Sequence, residues 1–328
     1  MHVLGIESTA HTIGASVVSE EGIKSNVNSV YIHPKGKGIH PREAAIHHSE
    51  EGPKVIKESL IKAGISMMDV DAVAISLGPG LGPCLRVGAT LARYLSLKFS
   101  KPLVPVNHAV AHIEIARYTC NSKDPLVVYI AGGNTIISTL VDGRYRVFGE
   151  TQDIAIGNAI DFFGRVIGLD YPELIHGEKL ALKGREIYEL PLPVKGQDVS
   201  YSGLLTAALR LVKEGKRLED VCLSFIEHAY ATLCESVERA LAYTGKKELV
   251  LTGGTARSLI LKEKLRFVAK EHNASFAVVP PEYAGDNGAM IAYTGFLAFK
   301  SGITINVEES YVKPMWRIDE VDIPWHTR

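Results

Sequence analysis

Residues 3–19 alternate in a telling way: an apolar run, a short polar turn and a second alternating run closed by Glu20-Glu21-Gly22, the signature of paired strands. Residues 126–141 repeat the plan and lead through Asp142-Gly143, a strong hairpin turn, into Arg144-Tyr145-Arg146-Val147-Phe148. Two halves of similar build are therefore expected. Between these hairpins, apolar positions at helical spacing over residues 42–63 (Ala45, Ile46, Val55, Ile56, Leu60, Ile61) stop at Gly64, a suitable C-terminal cap. Residues 73–77 read as a buried strand and Gly78-Pro79-Gly80-Leu81-Gly82-Pro83 as a tight turn. Residues 84–98 then read as a helix lined by Leu85, Ala89, Ala92 and Leu95. Residues 102–106 form another short strand, and Asn107 suits the N-cap of a helix starting at His108. Farther on, residues 249–251 read as a strand opening into Thr252-Gly253-Gly254 and a helix through Leu259 and Leu265. Strands alternating with helices predict α/β sheets with sites at the strand ends.

A chain of 328 residues suits two domains, and 46% apolar with 22% charged residues is an ordinary globular balance. With 36 Lys and Arg against 37 Asp and Glu the net charge is -1, so no global field draws the chain to nucleic acid or anionic membrane. Any RNA contact must be local or shared with partners. One region departs from the average. Residues 170–220, with Pro191 and Pro193, carry Lys179, Lys183, Arg185, Lys195, Arg210, Lys213, Lys216 and Arg217, and read as an inserted, partly basic subdomain. The opening MHVLGIEST lacks a basic and apolar leader, and no stretch is apolar for the ~20 residues a membrane span needs. A soluble, cytoplasmic protein is expected. Cys84, Cys120, Cys222 and Cys234 show no C-x-x-C spacing and are expected to be free thiols.

The candidate chemistry begins with His108 and His112, which share one helix face at i and i+4 and could hold one divalent ion; a pair of plain core or surface histidines has the same spacing. Asp286, in the polar turn Gly285-Asp286-Asn287-Gly288, could supply a third ligand and leave positions open for substrate. Zinc-peptidase chemistry is disfavoured, because Ala109 follows His108 where H-E-x-x-H has its glutamate. Ala131-Gly132-Gly133-Asn134-Thr135 could let backbone N–H groups approach a phosphate or be a plain β-turn, and Thr252-Gly253-Gly254 has the same ambiguity. Together they resemble the nucleotide clasp of actin/hexokinase-like proteins. Asp161 could sit on a ribose hydroxyl or face solvent, and Glu178-Lys179 could be site residues or a solvated pair.

In order and at family spacing, a series of segments resembles the tRNA N6-adenosine threonylcarbamoyltransferases in their archaeal form. They are Gly5-Ile6-Glu7-Ser8-Thr9, Gly38-Ile39-His40-Pro41-Arg42, Gly78-Pro79-Gly80-Leu81, Leu85-Arg86-Val87-Gly88, Asn107-His108 with His112-Ile113, and Gly132-Gly133-Asn134-Thr135. Asp161, Gly168-Leu169 with Tyr171-Pro172, Glu178-Lys179-Leu180, Ser202-Gly203-Leu204, Thr252-Gly253-Gly254 and Gly285-Asp286-Asn287-Gly288 continue the series. The resemblance implies an α/β, actin/hexokinase-like duplicated fold with a central nucleotide cleft. The N-terminal half would span residues 1–118, the C-terminal half residues 119–294, and residues 295–328 would pack back on the first. It implies one divalent metal (iron, zinc or magnesium) held by His108, His112, Asp286 and Tyr129, with Glu7 a further catalytic candidate. ATP or threonylcarbamoyl-AMP would lie along Tyr129, Ile130, Ala131, Gly132, Gly133 and Asn134, against Asp161, Glu178, Gly253 and Gly254. The implied activity is transfer of the threonylcarbamoyl group from threonylcarbamoyl-AMP to tRNA, with AMP released. The implied partners are tRNA, a small protein kinase that some archaeal members carry fused at the C-terminus, a small dimerising subunit and further subunits of a complex. An ATP-dependent small-molecule kinase, a metallopeptidase and a non-catalytic ATP-binding scaffold are the competing readings. The chain departs from the family pattern in four places: Glu173-Leu174 replaces Gly-Gly, Ser258 replaces Asn, Asn158 replaces Glu and Leu205 replaces Lys.

Overall fold

The computed structural model describes residues 1–34, 37–170, 172–192 and 194–326. Tyr171 of the Tyr-Pro motif and Pro193 of the basic region lie outside the described residues. In chain order the elements are β1 (His2–Glu7), β2 (Thr12–Ser19), β3 (Gly22–Ile23), β4 (Val27–Val30), α1 (Pro41–Ala63), β5 (Ala72–Gly78), α2 (Gly82–Phe99), β6 (Leu103–Asn107) and α3 (His108–Thr119). They continue with β7 (Leu126–Ala131), β8 (Asn134–Val141), β9 (Arg144–Glu150), α4 (Ile156–Val166), α5 (Glu173–Ala181), β10 (Val194–Lys195), β11 (Asp198–Val199), α6 (Ser202–Lys213) and α7 (Leu218–Thr244). The last are β12 (Glu248–Thr252), α8 (Leu259–Glu271), β13 (Ser275–Val278), α9 (Pro281–Ala284) and α10 (Gly288–Lys300).

The repeated hairpins become two sheets with one plan. In the first, β1 pairs antiparallel with β2 and parallel with β5, which continues into β6. In the second, β7 pairs antiparallel with β8 and parallel with β12, which continues into β13. The orders β3-β2-β1-β5-β6 and β13-β12-β7-β8-β9 are the same topology written in opposite directions. In each, the first strand sits in the centre with a hairpin on one side and parallel crossover strands on the other. The central strands are buried on both faces, so they read as continuous apolar runs: residues Val3, Leu4 and Ile6 of β1 and all of Leu126 to Ile130 in β7 are inaccessible. Each such Leu or Ile contributes ~1.5–3 kcal/mol on burial.

Two features place α3 at the join. It is buried along residues 108–117, between both sheets, with Thr252 donating to the His112 carbonyl at 3.0 Å from the end of β12. The C-terminal segment holds its start and end: Asn107 Nδ2 donates to the Trp316 carbonyl at 3.2 Å, and His326 Nε2 lies 2.6 Å from the buried Glu114 carboxylate. This segment also reaches the second sheet, where Ile323 N–H donates to the Gly143 carbonyl at 2.8 Å and Arg144 pairs with Asp322. α10 packs on β1 and β2 through glycines. A Cβ on Gly5 would stand 2.1 Å from the Ala292 backbone nitrogen, and one on Gly288 2.4 Å from the Ala15 carbonyl carbon.

The face of α1 differs from its hydrophobic pattern. Val55, Ile56 and Leu60 are buried, but Ile46 and Ile61 are exposed, while Ala44, His48 and Gly52 face inward. At Gly52 the Leu91 side chain of α2 fills the space, its Cδ1 standing 2.5 Å from where a Cβ would lie. No helix among the described residues is long and apolar enough to cross a membrane.

Candidate metal centre and nucleotide cleft

Asn107 ends β6 and caps α3, its Oδ1 accepting from the Ala109 and Val110 N–H groups at 3.0 and 3.1 Å. The helix therefore starts with His108 in its first turn and His112 one turn on, with ring centroids 4.7 Å apart. Asn287 caps α10 in the same manner, accepting from Met290 N–H at 3.0 Å, and this fixes the preceding Asp286. Asp286 Oδ1 lies 3.2 Å from His112 Nε2 and 3.5 Å from His108 Nε2. Among the described residues these three form the group that could hold an ion, with ligand atoms all within 4.8 Å of one another.

The donor set fits a divalent metal. Ligand atoms bound at ~2.1 Å to one ion stand roughly 3–3.5 Å apart, the observed His–Asp separations. The Tyr129 ring lies 5.0 Å from that of His112, and its buried hydroxyl, within the influence of the Asn134 side chain and the Asp286 charge, is a candidate fourth oxygen donor. Electrostatics point the same way. Burial pushes His108 down, but the Glu7 and Asp286 charges outweigh it and raise the imidazole to about 10. Burial and the neighbouring His108 lower His112, and Asp286 is held well below the usual carboxylate range by His108 and both histidine hydrogen bonds, against the effect of burial. Burial, then Asp286 and Glu7, push the Tyr129 phenol well above its ordinary value. An enclosed site with two acids calls for a cation, which a proton on His108 supplies when no metal does.

Glu7 does not face the cleft. It is inaccessible at the end of β1, with Oε1 accepting from Thr9 N–H at 2.6 Å and Thr9 O–H at 2.5 Å, and Oε2 3.1 Å from His108 Nδ1. Two neighbouring residues received no site role from the sequence: Thr9, which it singled out only as part of a family segment, and His11, whose Nδ1 lies 4.0 Å from Asp286 Oδ2. Their signal was positional, since both belong to the turn between β1 and β2 that corresponds to the Gly132-Gly133 turn in the second sheet.

On the nucleotide side, Tyr129 and Ile130 are fully buried on opposite faces of β7, Tyr129 toward α3 and Ile130 toward the core under α4 and α7. Gly132 and Gly133 are exposed at the hairpin turn, Gly132 with φ +52, and a Cβ on either would meet nothing within 4 Å. Gly253 has φ +95, and a Cβ there would stand 2.2 Å from the Ile130 carbonyl oxygen, so only glycine lets β12 close on β7; Gly254 beside it faces open space. Asp161, half-buried on α4, is pushed up to about 7 by burial and by Glu173, with Arg165 acting against them. Glu173, one of the family departures, is buried near Arg165 at 3.7 Å. Glu178 is committed internally: it accepts from Tyr230 O–H at 3.0 Å, Leu259 N–H at 3.2 Å and Ser258 O–H. Ser258, another departure, also caps α8 by accepting from Leu261 N–H at 2.9 Å.

Residues 22–293 match the family described as tRNA N6-adenosine threonylcarbamoyltransferase. The chain belongs to this family. It is 62% identical over its whole length to the tRNA N6-adenosine threonylcarbamoyltransferase of Thermofilum pendens, covering 98% of that protein. It is 56% identical to the protein of the same description from Caldivirga maquilingensis, covering 99% of it. Family membership makes the chain a transferase acting in tRNA modification, with tRNA its implied substrate, and removes the small-molecule kinase, peptidase and scaffold as leading readings. Among solved structures, HypF from T. kodakarensis shares the fold at TM-score 0.68 and 15% identity, over 92% of this chain and 48% of that one. The activator of 2-hydroxyisocaproyl-CoA dehydratase from Clostridium difficile, solved with ADPNP bound, matches at TM-score 0.55 and 13% identity, over 92% and 97%. These likenesses establish the duplicated actin/hexokinase-like architecture.

Proposed function

We propose that the chain transfers the threonylcarbamoyl group from threonylcarbamoyl-AMP to N6 of the adenosine 3′ of the anticodon in tRNAs reading ANN codons. It does so in the cytoplasm within a multi-protein complex that includes a small protein kinase and a small dimerising subunit. One observation carries this reading. β7 brings Tyr129 against His112 and ends three residues later in the exposed Gly132–Gly133 turn, ~10 Å away at ~3.3 Å per residue. A single strand thus links the candidate cation site to a phosphate-accessible backbone turn, so that a metal and a nucleotide can be held at one cleft.

In the reaction the adenine N6 forms a bond to the carbamoyl carbon, the bond from that carbon to the AMP phosphate oxygen breaks, N6 loses a proton and AMP leaves with the electron pair. The exocyclic amine is a weak nucleophile, so the mixed anhydride supplies the driving force and the protein must orient and stabilise. His108, His112, Asp286 and Tyr129 would hold the metal, and two imidazoles suit iron or zinc better than magnesium. When bound, such an ion supplies Lewis-acid stabilisation of charge developing on oxygen. Gly132 and Gly133 let backbone N–H groups approach the phosphate. Asp161, pushed up to about 7 by burial and by Glu173, can donate to or accept from a ribose hydroxyl near neutral pH. Lys179, Lys183, Arg185, Lys195, Arg210, Lys213, Lys216 and Arg217 are all exposed, and offer a local, salt-sensitive surface for tRNA that partner subunits extend.

The test is mass spectrometry of tRNA nucleosides after incubating the purified chain and partners with threonine, bicarbonate and ATP, and separately with threonylcarbamoyl-AMP. Threonylcarbamoyl-adenosine dependent on this chain is expected in both. Unmodified adenosine in the presence of preformed adenylate, with nucleotide bound, would sink the proposal.

A further inference from the structure

The family segments around residues 7–9, 78–81 and 85–88 contribute no ligand to the cleft, yet the structure brings them together at one corner. Ser8 N–H donates to Ser76 Oγ at 3.2 Å, and Leu81 N–H donates to the Thr9 carbonyl at 2.7 Å. A Cβ on Gly80 would stand 2.6 Å from that same carbonyl oxygen, and one on Gly88 1.9 Å from Ser8 Oγ. The turn after β5 and the first half of α2 are therefore shaped to hold residues 7–9 without slack. What they hold is an acid aimed at one histidine: Glu7 Oε2 and Thr9 Oγ1 both lie 3.1 Å from His108 Nδ1, while Glu7 Oε1 is tied by the N–H and O–H of Thr9. His112 has no such support, since its buried Nδ1 lacks a hydrogen-bond partner.

We infer that Glu7, clamped by Thr9, is a positioning residue that fixes the proton of His108 on Nδ1 and orients its Nε2 toward Asp286, so that His108 is the preorganised ligand and His112 the adaptable one. The physical reason is that an imidazole binds a cation only through an unprotonated nitrogen. A carboxylate that accepts from the far nitrogen selects that tautomer, locks the ring plane and increases the basicity of the near nitrogen. Glu7 touches neither substrate nor metal in this assignment. The glycines at 80 and 88 act through it, because they permit the backbone approach that sets its position.

This inference rests on the metal reading of the site, and its test separates the two. Co(II) alone is titrated into the full chain, following its visible absorption, and histidine ring 1H–15N spectra report the tautomer. Wild type is expected to bind one Co(II) per chain and to show one ring N–H shifted downfield that disappears in Glu7→Gln and in His108→Ala, but not in His112→Ala. Glu7→Gln is expected to weaken Co(II) binding ~10- to 100-fold with its own absorption bands altered. Thr9→Val, nearly isosteric, is expected to weaken it less and to retain the fold should Glu7→Gln fail to. Wild-type affinity and spectra in either folded variant overturn the inference. A wild type that binds no Co(II) would instead remove the metal reading beneath it.

Discussion

The two hairpin corners occupy equivalent positions in the two sheets and have opposite character. After β1, residues Glu7, Ser8 and Thr9 are buried, hydrogen-bonded and pressed by neighbouring backbone. After β7, Gly132 and Gly133 are exposed and face open space. The duplicated fold has given its two corners separate roles, the first building and supporting a cation site while the second leaves backbone groups free for a ligand to approach. Preorganisation belongs where the ligands are the protein's own atoms, and openness where the partner arrives from solution.

Removing the object that the first corner supports has the largest expected effect. His112→Ala or Asp286→Asn should each raise the dissociation constant for metal by about 100-fold or more and reduce threonylcarbamoyl transfer in parallel, while nucleotide binding at the glycine turn persists. Elemental analysis with the nucleoside assay checks this, and full metal content in both variants would dissolve the contrast. The same added methyl group then discriminates between the corners directly. Gly88→Ala must displace Ser8, whose Cβ would lie 2.7 Å away, and should cost about 2–3 kcal/mol in denaturant unfolding. Gly133→Ala should stay within about 0.5 kcal/mol of wild type, whereas Gly133→Val should weaken adenine-nucleotide binding measured by calorimetry with the fold intact. Equal destabilisation by the two alanines would show that the second corner is not open.

A smaller effect concerns pH. Asp161 titrates near 7 in the folded chain, above the ordinary ~3.9 of an unfolded aspartate. The folded state therefore binds this proton more tightly, so the group makes stability fall as pH rises from about 4 to about 7 and adds no slope above that. Asp161→Asn should remove this slope. Relative to wild type it should gain on the order of 1–3 kcal/mol between pH 4.5 and pH 8, read from unfolding curves at both values. A constant difference across that range would place the Asp161 carboxyl in a more solvated setting.

Local order set much of what could be read in advance. Asn107 before His108, the i and i+4 histidines, the Asp142-Gly143 turn with both residues at positive φ, and the Gly64 cap at φ +70 all appear as expected, because caps, turns and helix faces depend on neighbours a few residues away. The repeated strand–turn–strand pattern likewise disclosed the duplication. Where long-range packing decides, the pattern misled. Ile46 and Ile61 are exposed while His48 and Gly52 face inward, Gly52 where the Leu91 side chain of α2 fills the place of a Cβ. Glu178, which its neighbours in sequence leave open as either a site residue or half of a solvated pair, is buried under Tyr230 and Ser258, residues 52 and 80 positions away.

By itself, the amino-acid sequence determined the α/β class with two halves of similar build, the pair of histidines and the glycine turns, since each depends on periodicity or on conformations that few residues adopt. Only the tertiary structure decided what those residues face. Asp286 is 174 residues from His112, and Glu7 is 101 from His108. No local rule joins such distant carboxylates to one helix. Their meeting required β1 and β6 to end on the same side of one sheet and α10 to return across β1 and β2, with glycine wherever backbones touch. Sequence thus named the donors, while packing chose which became ligands and which became their support.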